Sequence, residues 1–191
     1  MKAVTIVGAG ALGSHLAQFL RNAAKLRVVD FDRVEQKNVL SQFHSRSSLG
    51  RAKVVALQQT LSFLFGTKVE GLPHQLIEEN ARELLGGADL VIDCLDNAAA
   101  REIVQRFARA HGVPCLHGAL SADGSFGQVL WDDQFTADRE PGAGAATCED
   151  GAHLPLIALV AAYLARSAQE FLDSARKLGF AVPARGPAGL V

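Results

Sequence analysis

The chain has 191 residues, of which 49% are hydrophobic, and its 19 Lys and Arg against 20 Asp and Glu leave a formal net charge of −1 at pH 7. This length and apolar content predict one domain with a substantial core, and the near-zero charge gives no electrostatic reason to bind nucleic acid or an anionic membrane. The three cysteines form no CxxC pair, which argues against a disulfide framework and a structural zinc site, and we expect a cytoplasmic protein.

The first element is a predicted strand over residues 4–7, followed by three glycines and a helix that begins near Ala11. Gly8 makes the turn, Gly10 lets a pyrophosphate approach the backbone, and Gly13 lets helix and strand pack closely. The exposed N–H groups and the positive dipole at the helix start favour a bound phosphate. In the simpler alternative, the glycines serve packing alone.

The second strand is predicted over residues 27–30 and ends in Asp30, whose carboxylate lies where it can bind ribose hydroxyls. Strand, glycines, helix, strand and acid occur in the order that a nucleotide-binding βαβ unit requires. We therefore predict that the N-terminal part of the chain binds a nucleotide.

Helix and strand patterns alternate almost to the end of the chain. A polar segment at 32–48 precedes the next elements, and a long loop is expected at 132–151. The further predicted elements are a helix over 51–64, a strand over 68–72, a helix over 77–85, a strand over 88–94, a helix over 98–110, strands over 113–116 and 127–131, and a helix over 155–177. This alternation predicts an α/β fold, a Rossmann-like doubly wound and mostly parallel sheet with helices on both faces. We expect residues 1–178 to form the domain and 179–191 to be a loosely ordered tail.

Polar side chains follow the strands at what should be one edge of the sheet, where the ligands of open parallel sheets bind. Lys53 opens the intervening helix behind Gly50, from where its side chain can reach back to that edge. The polar residues after the two strands are Asp30, Asp32, Lys37, Asn38 and Gln42, and then Asp93, Asp96 and Asn97. Taken singly, each has a structural explanation, as a turn former, a helix cap or, for Lys53, a solvated surface lysine. Their convergence on one edge favours a binding site.

These motifs resemble the ThiF/MoeB family, whose fold is shared by the adenylation domains of ubiquitin-activating enzymes. The matching stretches are VGAGALGS, VVDFDRVEQKN followed by Gln42, GRAK and DCLDN, and the resemblance covers residues 3–175. It implies ATP-dependent adenylation of the C-terminal carboxylate of a small ubiquitin-like or sulfur-carrier protein, with release of pyrophosphate. Because the attacking carboxylate and the α-phosphate are both anionic, such catalysis depends on charge neutralisation and alignment.

The resemblance also implies a role for individual side chains. Asp30 would hold the ribose, Asn38 would lie near the sugar or phosphates, and Lys53 would pair with phosphate oxygens. Asp96 would hold the Mg²⁺ that bridges those oxygens, and Asn97 would cap the next helix and line the site. The full nucleotide site inferred in this way is Gly8, Gly10, Ala11, Gly13, Asp30, Asp32, Lys37, Asn38, Gln42, Lys53, Asp96 and Asn97.

The sequence departs from the family pattern at one charged position. The pattern N-L-x-R-Q carries an arginine that contacts the triphosphate, and here the position is Ser41, which supplies no charge. Arg46 or Arg51 is a candidate replacement from nearby. Ala11 stands where the family usually has a further glycine, which alanine can replace unless a positive φ is needed.

Cys148 is a candidate acceptor of the activated group, since in the family a cysteine ahead of the C-terminal helix lies near the carrier's tail. The helix dipole would favour its thiolate, whereas the adjacent Glu149 and Asp150 oppose it. The alternative is a small residue that packs at the helix entrance. Cys94 and Cys115 lie in apolar strands and are expected to be inert core residues.

Two other functions stay open. A degenerate subunit that binds a nucleotide or carrier without adenylating is suggested by Ser41. An NAD-dependent oxidoreductase is suggested by the glycine fingerprint and Asp30, which suit NAD equally. Against the oxidoreductase, the sequence contains no Ser-Tyr-Lys pattern or other arrangement for hydride transfer.

The last predicted helix bears on partners. Its apolar run over 154–165 is too short to span a bilayer. Its stripe of Leu156, Leu159, Val160, Tyr163 and Leu164 needs cover, either from a partner chain or from the protein's own core. Together with the family resemblance, this favours a homodimer or a heterodimer with a related chain.

Overall fold

The computed structural model describes residues 1–136 and 151–184, and in these ranges strands and helices alternate as the sequence predicts. The strands are β1 (Ala3–Val7), β2 (Lys25–Val29), β3 (Val69–Leu72), β4 (Leu90–Asp93), β5 (Cys115–Leu120), β6 (Phe126–Trp131) and β7 (Phe180–Pro183), and the helices are α1 (Ala11–Leu20), α2 (Lys53–Phe65), α3 (Ala81–Leu85), α4 (Ala98–His111) and α5 (Leu154–Ser174). Short 3₁₀ turns cover Gln36–Leu40, Arg46–Ser48 and Glu78–Asn80, so the helix predicted from residue 77 begins as a 3₁₀ turn.

The strands form one sheet in the order β3-β2-β1-β4-β5-β6-β7. β1 to β5 pair in parallel, and β6 and β7 extend the sheet with antiparallel pairing. The predicted Rossmann-like, mostly parallel sheet is thereby confirmed. The strand order reverses between β1 and β4, and ligands of such sheets bind in the crevice beyond the carboxyl ends of the strands at this point.

Helices cover both faces of the sheet, as predicted. α1, α2 and α5 pack on one face around a core that includes Ile6 and Leu164. α3 and α4 pack on the other face around Val104. Successive strand residues alternate between these cores, because side chains along a strand point to opposite faces, and in β4 Val91 and Ile92 enter different cores. The continuous apolar runs of the central strands follow from burial on both faces.

The segment predicted as a loosely ordered tail begins with a strand instead. Phe180–Pro183 pairs with β6 in antiparallel register. The Trp131 indole N–H donates to the Leu178 carbonyl at 3.0 Å, and the rings of Tyr163 and Phe180 lie 4.5 Å apart. Burial of Val182 and the backbone pairing outweigh the weak strand propensity of this composition. Residues 185–191 lie outside the described residues.

The apolar stripe of α5 is covered within the chain. Leu156, Val160 and Leu164 are at most 3% exposed, and Leu159 and Tyr163 pack against the same core. The stripe therefore gives no argument for a dimer, which stays a prediction from the resemblance. In the two described ranges, every helix is too short or too polar to cross a membrane.

Candidate functional site

The turn from β1 into α1 needs glycine at two positions, for different reasons. Gly8 has φ +97°, and a Cβ there would lie 2.8 Å from the carbonyl oxygen of Cys94. A Cβ on Gly13 would lie 1.9 Å from the carbonyl oxygen of Gly8, so only glycine lets α1 lie this close to the strand. Gly10 differs, because a Cβ there meets nothing within 4 Å, which leaves space for a ligand in front of the helix start. Ala11 begins α1 without a positive φ, so alanine fits there.

Asp30 holds this glycine turn to the end of β2. One carboxylate oxygen accepts the N–H of Ala9 at 2.6 Å, and the other accepts the N–H of Asp32 at 2.7 Å. Burial raises the pKa of Asp30, while the Ala9 N–H and the charge of Lys53 act in the opposite direction. A carboxylate offers about four lone pairs, so Asp30 retains capacity to accept a hydroxyl while it holds the turn.

Lys53 is the first residue of α2 and lies beside the same turn. Its ammonium donates to Oδ2 of Asp32 at 2.8 Å, and its backbone N–H donates to the Asp32 carbonyl. The residue is 7% exposed, so its interpretation as a solvated surface lysine is wrong. The structure therefore groups Asp30, Asp32 and Lys53 around Ala9, at the carboxyl edge of the sheet.

The polar segment after β2 is organised by Asn38. Its side-chain oxygen accepts the N–H of Glu35 at 2.8 Å, and its carbonyl accepts the N–H of Gln42 at 2.9 Å. Lys37 is half-exposed and pairs with Glu35 at 3.6 Å. Asn38 is therefore a turn former, as the simpler interpretation has it, while its role toward a nucleotide stays a prediction.

Two histidines that the sequence analysis did not select lie against the glycine turn. His44 Nε2 lies 3.0 Å from the Ala9 carbonyl oxygen, and His15 Nε2 lies 3.1 Å from the Ser41 carbonyl oxygen. The sequence offered only their positions as a signal for the site: His44 lies in the polar segment after β2, and His15 lies near the start of α1. The candidate replacements for the family arginine, Arg46 and Arg51, are both exposed, and Arg51 donates to Gln59. Their role toward a triphosphate stays a prediction.

The polar residues at the end of β4 and directly after it have different roles. Asn97 caps α4 by accepting the Ala100 N–H at 2.9 Å, as predicted. Asp96 is exposed in the turn before this cap, where its carboxylate is accessible. Asp93 is instead fully buried, and it belongs to a polar network inside the core that α3 and α4 cover.

That network joins β4, β5, α4 and the segment after β6. His117 Nδ1 lies 2.7 Å from Oδ2 of Asp93, and its Nε2 lies 3.2 Å from Oδ1 of Asp132. Arg101 donates to Asp93 at 3.1 Å and to the Gly118 carbonyl at 2.9 Å. The His117 ring stacks on Phe135 at 4.2 Å. The buried Asp93 thus has hydrogen-bond partners in both His117 and Arg101. The sequence analysis did not predict that these three residues would form a group.

The described cysteines are poor nucleophiles. Burial raises the pKa of Cys94 and of Cys115, and the negative charge of Asp93 adds to both shifts. A thiol with a raised pKa stays protonated and unreactive at neutral pH, which agrees with the predicted core role. Cys148 lies outside the described residues, so its predicted role is carried forward as a proposal.

The side chains at this edge of the sheet can be compared with what a magnesium ion needs. In the described part of the chain, no group of three or more His, Cys, Asp or Glu side chains could hold a metal ion by itself. Mg²⁺ is commonly bound by one or two carboxylates together with substrate phosphates. The exposed Asp96 carboxylate and the open helix start of α1 fit that arrangement.

Comparison with known proteins gives three informative matches. The chain is 37% identical over 121 residues to the sulfur carrier protein adenylyltransferase of Thermus thermophilus, covering 61% of this chain and 45% of the relative. It is 30% identical over 194 residues to the molybdopterin-synthase adenylyltransferase of Escherichia coli, covering 96% and 76%. The crystal structure of Escherichia coli MccB with ATP matches with a TM-score of 0.76 at 13% identity, covering 95% of this chain and 60% of MccB. At this low identity, the match to MccB shows a similar fold and nothing more.

The chain spans about half the length of the Thermus relative, and about three quarters of the Escherichia coli one. The model of the ThiF family matches residues 2–183, which include every predicted site residue and all the strands and helices described above. The glycine turn, the Asp30–Lys53 grouping and this match agree with one another. The chain belongs to the ThiF family.

Proposed function

We propose that this chain binds ATP with Mg²⁺ and adenylates the C-terminal carboxylate of a small ubiquitin-like or sulfur-carrier protein. The observation that carries the proposal is the grouping of Asp30, Asp32 and Lys53 around the glycine turn, beside the open start of α1. The names of the Thermus and Escherichia coli relatives, both adenylyltransferases, support the same activity.

The chemistry requires two anions to meet. A carboxylate oxygen of the carrier attacks the α-phosphorus, the bond from that phosphorus to the bridging oxygen breaks, and pyrophosphate leaves. Lys53 and the N-terminus of α1 are positioned to offset the negative charge of the phosphates, and Asp30 is positioned to hold the ribose. Mg²⁺ held by Asp96 would supply further positive charge next to the phosphates.

Lys53 has a partner that it must share or release when phosphates bind. In the ligand-free chain its ammonium pairs with Asp32, whose side chain is 50% exposed, so that contact can be exchanged for a phosphate contact at modest cost. The pair also holds the Lys53 side chain in place before ATP arrives. We infer that Asp32 acts on the phosphates through Lys53 rather than by direct contact.

Nucleotide titration distinguishes this proposal from the two alternatives. An adenylating enzyme should bind ATP more tightly with Mg²⁺ than without it, and should exchange labelled pyrophosphate into ATP when the carrier is present. A degenerate subunit should bind a nucleotide or carrier without exchange. An oxidoreductase should prefer NAD to ATP, and that preference would contradict the proposal.

Lys53→Met is expected to weaken ATP binding by about ten- to a hundredfold, because a charge-assisted contact to phosphate is lost while the alkyl stem still packs. Asp96→Asn should remove most of the strengthening of ATP binding by Mg²⁺, because a neutral amide is a poor ligand for that ion. Isothermal titration calorimetry with and without Mg²⁺ measures both effects.

Lys25→Met is the matched control, because Lys25 is exposed at the start of β2, at the opposite edge of the sheet. Its ATP affinity should equal that of the wild type. The site assignment is wrong if Lys53→Met binds ATP as tightly as this control, or if Asp96→Asn responds to Mg²⁺ like the unaltered chain.

We propose in addition that Cys148 accepts the activated C-terminus of the carrier as a thioester. Its sulfur would attack the carbonyl carbon of the acyl-adenylate, the thiol would lose its proton, and the bond from that carbon to the phosphate oxygen would break as AMP leaves. Mild iodoacetamide treatment followed by mass spectrometry should label Cys148 ahead of Cys94 and Cys115, whose thiols have raised pKa values. Cys148→Ser should lose a reducible carrier adduct but retain adenylation; faster labelling of either other cysteine would make Cys148 structural.

Two finer features belong to the same proposal. The reaction fits the cytoplasm, where ATP is available and free thiols such as Cys94 and Cys115 stay reduced. Pairing with a second copy or a related chain is proposed from the resemblance alone.

A further inference from the structure

Three buried polar atoms in one short segment, which we call the 41–44 segment, have no hydrogen-bond partner in the described part of the chain. They are Ser41 Oγ, Gln42 Oε1 and His44 Nδ1. Buried polar side-chain atoms nearly always find a partner, and an unpaired one costs about 1–3 kcal/mol. These three atoms are therefore available for hydrogen bonds with groups outside the described residues.

The segment lies against the glycine turn and the first turns of α1. His44 Nε2 contacts the Ala9 carbonyl oxygen at 3.0 Å, and Ser14 Oγ accepts the N–H of Phe43 at 2.9 Å. His15, also on α1, contacts the Ser41 carbonyl oxygen. The 41–44 segment, which carries the unpaired atoms, therefore packs against the start of α1, where the proposed function puts the phosphates.

The contact with Ala9 fixes the tautomer of His44. A carbonyl oxygen can only accept, so Nε2 must carry the ring proton, and Nδ1 of the neutral ring is then an acceptor. Gln42 Oε1 is an acceptor as well, and the Ser41 hydroxyl can accept. In the neutral ring Nδ1 of His44 therefore cannot donate a hydrogen bond, and a proton on Nδ1 would make it a donor.

The surroundings disfavour the protonated form of His44 before a ligand binds. Burial lowers the pKa of His44, and the positive charge of Lys53 on α2 and the neighbouring His15 on α1 lower it further, against the Ala9 hydrogen bond. The other charged groups at the turn are Asp30, which accepts the Ala9 N–H, and Asp32, which pairs with Lys53. An anion beside Lys53 would offset these positive charges and favour the protonated ring.

We propose that His44 takes a proton from solvent at Nδ1 when ATP binds, so that an imidazolium beneath the glycine turn supplies the positive charge that Ser41 lacks. This inference rests on the proposed function, because it needs a polyphosphate at the start of α1. His44 thus takes the place of the arginine that the family pattern has at the position of Ser41. Unlike that arginine, it carries a positive charge only while ATP is bound. Because charges are screened less inside the protein than in water, the imidazolium stabilises the phosphates more than a solvated cation at the same distance would.

Isothermal titration calorimetry of ATP binding tests the inference near neutral pH. Excess Mg²⁺ keeps the nucleotide's own phosphates fully deprotonated, so proton uptake comes from the protein. Titration in PIPES and in Tris, whose heats of ionisation differ, gives the number of protons taken up. The wild type should take up as much as about one proton per ATP, and the ring ¹⁵N resonance of His44 should change to that of an imidazolium.

His44→Gln is the informative variant, because the amide N–H can still donate to Ala9 but cannot gain a proton. It should bind ATP about tenfold more weakly, without proton uptake, and should bind adenosine like the wild type because adenosine carries no phosphate. His111→Gln is the matched control: His111 lies at the end of α4, at the far edge of the sheet, and should leave uptake and affinity unchanged.

The outcomes separate the two proposals. ATP binding with no proton uptake, or uptake that persists in His44→Gln, overturns the role of His44 and leaves the adenylation proposal standing. Failure of the wild type to bind ATP at all overturns both. If His44→Gln does not fold, the ¹⁵N resonance of His44 in the wild type decides the matter alone.

Discussion

Gly13→Ala is expected to lower the free energy of unfolding by about 3 kcal/mol or more. The added Cβ would lie 1.9 Å from the Gly8 carbonyl oxygen and 3.3 Å from the Ile6 side chain. Neither neighbour can move without separating α1 from β1, because the clash is with backbone of the turn itself. Urea unfolding followed by circular dichroism measures the loss, and nucleotide binding should disappear with the native turn.

Gly10→Ala is the matched control, since it adds the same methyl group three residues earlier. Nothing lies within 4 Å of that position, so the free energy of unfolding should change by less than about 0.5 kcal/mol. The methyl group would fill the space in front of the helix start, so ATP affinity should fall although stability does not. Equal destabilisation by the two substitutions would contradict the assignment of Gly13 to packing and Gly10 to the ligand.

Arg101→Met is expected to cost about 3–5 kcal/mol of stability, because it removes the cation from a buried carboxylate. Asp93 is 0% exposed, and without Arg101 it keeps His117 and the Leu95 N–H as partners. Methionine preserves most of the alkyl volume, so the measured loss reports the charge and hydrogen bonds rather than a cavity. Chemical unfolding of wild type and variant gives the difference.

Arg106 on the same helix provides the control for that experiment. It pairs with Glu78 at 2.7 Å, but both side chains are more than half exposed, so Arg106→Met should cost less than about 1 kcal/mol. Both arginines lie on α4 and both form an ion pair with a carboxylate, so they differ mainly in how deeply they are buried. A loss for Arg101→Met as small as that for Arg106→Met would mean that the buried network contributes little.

Most of the fold could be predicted because its signals are local. The apolar runs of β1, β2 and β4, the glycines of the first turn and the Asn97 cap each act over a few residues, and the structure has all of them. β7 could not be predicted in this way. Its stability comes from pairing with β6 and from the contact of Phe180 with Tyr163, and neither leaves a mark in the composition of the segment.

The candidate site was predictable to the same degree. Asp30 and Asp32 follow from their positions after a strand and Lys53 from its position at the start of a helix, and the structure joins them at one edge. The burial of Lys53 was not predictable, because it depends on how α2 returns to the sheet. His44 and the Asp93–His117 pair were missed for a related reason: each is defined by contacts between segments far apart in the chain.

The packing of α5 on α1 has a consequence for how the protein is made. The glycine turn leaves the ribosome before α5, because α2 to α4 and β2 to β6 are synthesised between them. Until α5 emerges, the part of α1 that packs on α5 has no native cover, so the nucleotide-binding end lacks that stabilisation. Contacts of such large sequence separation slow folding. We therefore expect the motif of β1 and α1 to reach its native stability only after α5 has been synthesised and has packed on α1.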